Sequence, residues 1–183
     1  MKYRYIILLI SLLSVVTFSK AQPVLPAADV MKAAYAKATA SNKKVLLMFH
    51  ASWCGWCRKM DSSLNDASTK QLFSKYFIIE HLTVQESKGK EKLENPGAEE
   101  LLNSYNGKDQ GLPYWVILDN TGKLLYDSQI RTEQPDGNIK GSSVGCPASQ
   151  SEVDFFVGLL KKTTTLTEAE LAAIAVRFRK NEH

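Results

Sequence analysis

The chain has 183 residues, a length that suits one domain or one domain with an extension. Hydrophobic residues make up 44% and charged residues 23%, as in soluble globular proteins, so a core can form without structural disulfides or a structural metal. The formal net charge is only +4 and no basic run is interleaved with aromatic residues, which excludes a nucleic-acid-binding protein of the strongly basic kind.

Residues 1–21 have the features of a secretory signal peptide. A positive start at Lys2 and Arg4 precedes an apolar stretch over residues 6–18, and small residues at the end of the segment predict cleavage before Gln22. The stretch is short for a membrane span, which needs about 20 residues, although a retained signal anchor stays an alternative. The segment holds three basic and no acidic residues, so the remaining chain has 20 basic and 19 acidic side chains, a net charge of +1. We therefore expect an exported protein, periplasmic or extracellular.

After this segment, helices and strands alternate up to residue 84. Residues 29–42 are rich in Ala, Lys and Met without Gly or Pro, and they predict an amphipathic helix. Residues 45–49 form a continuous apolar run, short enough for a buried strand. Two further helices are predicted over residues 57–64 and 67–76, and a second strand over residues 77–84.

The second half of the chain begins with a charged segment, residues 85–94, which predicts a solvated loop. Two later helices begin with the spacing of capping boxes, Ser149 with Glu152 and Thr167 with Glu170. The predicted elements are a helix that Asn95 caps and that ends near residue 106, a hairpin of strands at 114–118 and 123–129, a long loop at 130–148, and helices at 149–161 and 167–178.

The order of elements is β-α-β-α-β-β-α with a helix added at each end. Such an order predicts a mixed four-stranded sheet with helices on both faces, an α/β/α sandwich. The predicted organisation is a signal peptide at 1–21, a linker at 22–28, an α/β domain at 29–162 and a C-terminal helical extension at 163–183.

Two cysteines three residues apart carry the chemistry that the sequence indicates. Cys54 and Cys57 follow a predicted buried strand and open a predicted helix. A reduced Cys54 at a helix N-terminus meets free backbone N–H groups, which favour the thiolate that attacks in thiol–disulfide exchange. Cys57, one turn further along and less exposed, is expected to resolve the mixed disulfide. With Cys146 the total is three, an odd number that favours redox chemistry over a disulfide scaffold.

Residues 53–57 (WCGWC) after a strand, and residues 111–113 (GLP) before the third strand, make the chain resemble the thioredoxin superfamily over about residues 29–162. The resemblance implies a thioredoxin-like three-layer α/β/α fold, a protein-disulfide oxidoreductase, and no cofactor besides the redox-active disulfide. In that family the proline is cis and faces the cysteine pair, a role carried over to Pro113. The implied partners are protein thiols and disulfides, and an electron-donor protein that is commonly membrane-bound in an exported compartment.

Three positions depart from the thioredoxins proper. Their buried acid, which assists proton transfer at the resolving cysteine, is replaced by Met48, and Glu80 on the second strand is a substitute only if it faces inward. The dipeptide Gly55-Trp56 lacks the histidine of the disulfide isomerases, so we expect a less oxidising protein and favour reduction over isomerisation or oxidation. Leu112 stands before the proline where many relatives have a small or β-branched residue, and this leaves substrate preference open.

Other residues are expected to contact the substrate. Trp53 and Trp56 can form an apolar platform around the disulfide, with Gly55 between them and Leu112 opposite; packing is the ordinary explanation, which we favour only for Trp53. If the hairpin prediction holds, the loop after it returns to the cysteine pair, where Cys146 would border the substrate groove as a third redox-linked thiol. We favour an inert, packed Cys146.

Two alternatives stay open. Zinc sites share the Cys-x-x-Cys spacing, but a second cysteine pair is missing, so His50, His81 and Cys146 would have to complete the site. Otherwise both histidines are expected to be packed or surface residues of their strands. The other alternative is a thioredoxin-fold binding or chaperone-like module whose cysteine pair is a structural clip.

Overall fold

The computed structural model describes residues 23–182, so the predicted signal peptide lies outside the described residues. Short 3₁₀ helices occur at Glu91–Leu93 and Lys180–Glu182. The α-helices are α1 (Ala27–Ser41), α2 (Gly55–Leu64), α3 (Lys70–Tyr76), α4 (Ala98–Ser104), α5 (Gln150–Thr163) and α6 (Glu168–Arg179). The strands are β1 (Lys44–His50), β2 (Phe77–Thr83), β3 (Tyr114–Leu118), β4 (Leu124–Asp127), β5 (Gln129–Glu133) and β6 (Ile139–Ser143).

Four strands form a mixed sheet in the order β2-β1-β3-β4. β1 runs parallel to β2 and antiparallel to β3, and β3 and β4 form the predicted antiparallel hairpin. Met48 at the middle of β1 lies opposite His81 of β2 and Trp115 of β3. The predicted three-layer α/β/α sandwich with a mixed four-stranded sheet is confirmed.

Both faces of the sheet are covered because β1 and β3 are apolar at nearly every position, as in strands buried on two sides. Alternate residues therefore enter different cores. Leu46 and Met48 pack with residues of α2, α3, α5 and α6. Leu47 and Phe49 pack with residues of α1 and α4 on the other face. α2, the helix that follows the cysteine pair, thus lies on the face of the sheet that carries the side chain of Met48, which we call the Met48 face.

The starts of α1 to α4 differ from the prediction: α2 begins at Gly55 and not at residue 57, and α3 at Lys70 and not at residue 67. α1 begins at Ala27, two residues earlier than expected, directly after Pro26. Asn95 does not cap α4, because its side-chain Oδ1 accepts a hydrogen bond from the backbone N–H of Thr83 (2.7 Å) at the end of β2. The residue before α4 is Gly97, whose φ of 81° is accessible to glycine at low cost.

The prediction of a long loop over residues 130–148 is wrong at residues 130–133 and 139–143, which form strands. β5 and β6 form a separate antiparallel hairpin, with Gln129 opposite Ser143 and Glu133 opposite Ile139. The side chain of Gln129 anchors the base of the hairpin by donating to the hydroxyl of Tyr114 (2.9 Å). Because most residues of this hairpin are polar or exposed, no apolar alternation marked its strands.

The C-terminal helix belongs to the core of the domain. Leu171, Ile174 and Phe178 of α6 are buried in the cluster that also holds Phe73 and Phe156. α6 therefore completes the helical layer on the Met48 face instead of extending from it. Among residues 23–182, no helix combines the length and the apolar character that a membrane crossing requires.

Candidate active site

The cysteine pair lies between the end of β1 and the start of α2. Cys54 has an extended backbone (φ −73°, ψ 103°) and occupies the N-cap position, so the helix begins at Gly55. The backbone N–H of Cys57 donates to the Sγ of Cys54 at 3.0 Å. A sulfur in the place of a capping oxygen receives a helix N–H, and this arrangement favours negative charge on that sulfur once the pair is reduced.

Cys54 and Cys57 form a disulfide, with an S–S distance of 2.04 Å. Only 3% of Cys54 and 1% of Cys57 are exposed, so the difference in access between them is smaller than expected from the sequence. The reason is the packing around the pair, where Ala51 and Leu112 contact the two cysteines. The disulfide is therefore largely shielded from solvent.

Two exposed tryptophans flank the disulfide. Trp53 is 52% exposed, and its ring nitrogen donates to the carbonyl oxygen of Gln85 at 2.8 Å. Trp56 is 47% exposed, and the Lys59 ammonium lies 4.5 Å from the centre of one of its rings. Both indoles thus present apolar surface beside the cysteine pair, although the edge of Trp53 is fixed by its hydrogen bond.

The turn before Cys54 is held by a carboxylate. The backbone N–H and the hydroxyl of Ser52 donate to Glu86 at 2.6 Å and 2.7 Å. Arg58 of α2 donates to the carbonyl oxygen of Ser52 at 3.0 Å. Burial raises the pKa of Glu86, but the hydrogen bonds from Ser52 and Ser87 and the charge of Lys90 together outweigh it, and the net shift is downward. Glu86 therefore stays ionised and fixes the approach to the helix.

The loop before β3 faces the cysteine pair. The Leu112–Pro113 peptide bond is cis, and Pro113 is buried. Trp115 donates its ring N–H to the carbonyl oxygen of Gly145 at 2.8 Å, which holds the chain after β6 beside this loop. A pocket of about 230 Å³ lies between Trp56, Leu112 and the segment around Gly145. The pocket thus lies beside two residues, Trp56 and Leu112, that adjoin the cysteine pair.

Cys146 lines the same pocket but is itself buried, with 4% of its surface exposed. Its thiol is free, and its Sγ accepts a hydrogen bond from the side-chain amide of Asn181 at 3.3 Å. Burial raises the pKa of Cys146 to about 12, against the smaller opposite effects of Lys59 and Arg177. The residue is therefore protonated at neutral pH.

The position at which the thioredoxins proper carry a buried acid is apolar here, and Glu80 does not replace that acid. Met48 is fully buried against Met60 and its neighbours. Glu80 lies opposite Leu47 in the strand register, on the other face of the sheet, where it pairs with Lys37 of α1 at 3.1 Å. Glu80 is thus separated from the cysteine pair by the sheet itself.

One polar cluster near the cysteines was missed by the sequence analysis. His81 lies opposite Met48, on the α2 face of the sheet, and its Nε2 is 2.8 Å from the Oδ1 of Asp61. The ring of His50 packs edge-on against that of His81, with 5.3 Å between the ring centres. The one signal in the sequence is that Asp61 follows Cys57 by four residues, which places both on one side of a helix.

Metal ligation has little support in the part of the chain that the structure describes. Residues 23–182 contain no group of three or more His, Cys, Asp and Glu side chains that could hold a metal ion. His50 and His81 lie together with Asp61, whereas Cys54 and Cys57 are bonded to each other.

Comparison with known proteins gives one family and several solved structures. The model of the thioredoxin-like domain matches residues 31–135, and no curated protein matches significantly. A disulphide isomerase from Xylella fastidiosa Temecula1 is 23% identical, over 84% of this chain and 88% of that chain, with a TM-score of 0.45. The DsbH oxidoreductase is 20% identical, over 82% of this chain and 94% of that chain, with a TM-score of 0.45. The oxidised C-terminal domain of DsbD from Neisseria meningitidis is 19% identical, over 77% of this chain and 99% of that chain, also with a TM-score of 0.45.

Proposed function

Because the chain belongs to the thioredoxin-like domain family, we propose that it reduces or isomerises disulfide bonds of exported proteins through Cys54 and Cys57. The observation that carries the proposal is the position of Cys54, whose Sγ accepts a backbone N–H at the start of α2. A thiolate formed there is stabilised by the helix terminus, and the thiolate is the attacking species in thiol–disulfide exchange.

The reaction has two exchange steps. The Cys54 thiolate attacks one sulfur of a substrate disulfide, a mixed disulfide forms, and the other substrate sulfur leaves as a thiolate. Cys57 then attacks the Sγ of Cys54, the bond to the substrate breaks, and the substrate's second thiol is released. Two electrons pass from the cysteine pair to the substrate, and the pair is left as the disulfide of the structure.

A new cycle needs an electron donor that reduces the Cys54–Cys57 bond. For an exported protein we propose a donor protein attached to the membrane, which passes its electrons by the same exchange chemistry. Export itself is supported by the signal-like residues 1–21, with cleavage before Gln22 and a periplasmic or extracellular location. A Cys57→Ser variant retains substrates as mixed disulfides on Cys54, so the proteins attached to it identify the substrates.

A second candidate function is supported by the burial of Cys54. With only 3% of this residue exposed, the pair can act as a structural clip in a binding or chaperone-like module, in which the exposed tryptophans hold a partner. Such a module has little turnover.

Reduction of insulin by dithiothreitol separates the two functions. We expect the protein to accelerate precipitation of the insulin B chain and Cys54→Ser to lower the rate to that of dithiothreitol alone, because the attacking sulfur is gone. The matched control is Glu80→Gln, which alters a side chain on the opposite face of the sheet and keeps the rate. A rate for the unsubstituted protein that equals the dithiothreitol background favours the clip.

A further inference from the structure

The resolving thiol needs a proton acceptor inside the protein. Cys57 is 1% exposed, and a thiol must lose its proton before it can attack a disulfide. Burial disfavours the charged thiolate, and bulk water has little access to take the proton directly. The strand residue on the same face, Met48, has no group that accepts a proton.

Asp61 is placed to reach the turn that carries Cys57. The two residues are four apart on α2, on the side of the helix that also buries Met60 and Leu64. Side chains in a helix lean toward its N-terminus, so the Asp61 carboxylate covers the turn before it, the turn of Cys57. The Asp61 side chain is 37% exposed, so a proton that its carboxylate accepts can pass on to solvent.

His81 fixes this carboxylate from the neighbouring strand. Its Nε2 is 2.8 Å from the Oδ1 of Asp61, and its own side chain is 32% exposed. The other carboxylate oxygen, Oδ2, takes no hydrogen bond from the described residues 23–182 and is free to accept one. The pair thus has one oxygen held by an imidazole and one oxygen available to a thiol.

We propose that Asp61 and His81 together accept the proton of Cys57 in the resolving step, an assignment that rests on the function proposed above. The Cys57 thiol gives its proton to the pair, and its sulfur attacks the Sγ of Cys54. A Cys54–Cys57 bond forms, the bond between Cys54 and the substrate breaks, and the substrate sulfur leaves with the electron pair. The proton then passes from the pair to solvent or to the leaving thiolate, so no further reactant is needed.

The other ionisable groups around the pair do not take over this role. His50 packs against His81 from β1, and burial, together with the neighbouring His81, lowers the pKa of His50 despite Asp61 and Glu86, which raise it. His50 is therefore neutral at neutral pH. Glu86 is held by the hydrogen bonds of Ser52, and Cys146 keeps its proton.

Stopped-flow reaction of the reduced protein with 5,5′-dithiobis(2-nitrobenzoate) observes the two sulfurs in turn. The first nitrothiobenzoate is released when Cys54 attacks the reagent, and the second when Cys57 attacks the resulting mixed disulfide. A Cys146→Ser background removes the third thiol from the signal. The variants are Asp61→Asn and His81→Gln, with Glu80→Gln as the matched control, since Glu80 adjoins His81 but faces the opposite side of the sheet.

We expect Asp61→Asn and His81→Gln each to slow the second release by about tenfold to 100-fold near pH 7, the range in which loss of a general base falls. Removal of a negative charge favours a nearby thiolate, so Asp61→Asn should leave the first release as fast as before or faster. A slower second release then reports lost proton acceptance and not altered electrostatics. In both variants that release should rise by about tenfold per pH unit, as solvent hydroxide replaces the pair.

Three results have distinct meanings. A second release in either variant that keeps the rate and pH profile of the unsubstituted protein overturns the assignment. An equally slow second release in Glu80→Gln overturns it too, because the effect is then not specific to the Met48 face of the sheet. If Cys54 of the unsubstituted protein gives no fast first release, the proposed function fails instead. Unchanged thermal unfolding of the variants shows that their folds are intact.

Discussion

The three cysteines are all buried, so their polar partners and not their exposure separate their chemistry. The Sγ of Cys54 accepts a backbone N–H at a helix start, where a thiolate is favoured. Cys57 lies one turn before Asp61, which supplies a proton acceptor. The Sγ of Cys146 accepts a hydrogen bond from the amide of Asn181 and lies 4.0 Å from the carbonyl oxygen of Pro147, and a buried neutral thiol is its stable form.

The environment of Cys146 predicts a dependence of stability on alkaline pH. Burial raises the pKa of its thiol from 9.0 to about 12. The contribution of the protonated thiol to the free energy of unfolding is therefore complete below pH 9 and is lost as the pH rises toward 12. Between about pH 9 and 11, the free energy of unfolding of the protein should therefore fall more steeply than that of Cys146→Ala, by about 1.4 kcal/mol per pH unit. Urea unfolding at a series of pH values measures both slopes, and parallel slopes would contradict the raised pKa.

At the scale of elements, the sequence predicted what local patterns determine. The capping boxes of Ser149 with Glu152 and of Thr167 with Glu170 are both formed, so the starts of α5 and α6 followed from four residues. The β5–β6 hairpin has no such local signature. Its strands are held by backbone pairing and by contacts to distant elements such as the one from Gln129 to Tyr114, which only the folded chain brings together.

The role of α6 was predicted only in part, since its apolar face was evident but its packing partners were not. Phe178 is fully buried, and its ring centre lies 4.9 Å from that of Phe156 and 6.1 Å from that of Phe73. We expect Phe178→Ala to lower the free energy of unfolding by about 3–5 kcal/mol because it leaves a cavity in this core. Val176 on the same helix is 62% exposed, and Val176→Ala should change stability by less than about 0.5 kcal/mol. Urea unfolding measures the free energy of unfolding of both variants. Similar decreases in the two would show that α6 does not pack into the core of the domain.

At the scale of the molecule, the active site combines parts of very different predictability. The order of a strand, the Cys54–Cys57 pair and a helix is local, and the later Pro113 is identified by family resemblance. The pairing of Asp61 with His81 depends on the register of β1 with β2 and on which face of the sheet α2 covers. Strand alternation alone places Glu80 and His81 on opposite faces, but it cannot say which face carries the cysteines.

The direction of electron flow is a property of the whole site, because the reduction potential compares the stability of the dithiol with that of the disulfide. The cations near the pair are engaged elsewhere: Lys59 lies over the ring of Trp56, and Arg58 donates to the carbonyl oxygen of Ser52. Since these cations add little stabilisation of a thiolate, we expect the reduction potential of the Cys54–Cys57 pair to lie below about −150 mV, in the range of reductants.

Trp56→His adds a cationic neighbour and should raise the reduction potential by about 30 mV or more, a tenfold change in the equilibrium constant. Trp56→Gln should raise it less. Equilibration in glutathione buffers, followed by alkylation and mass measurement, gives the potentials. A value well above −150 mV for the unsubstituted protein would make it an oxidant, and equal shifts in the two variants would show that charge at this position does not set the potential.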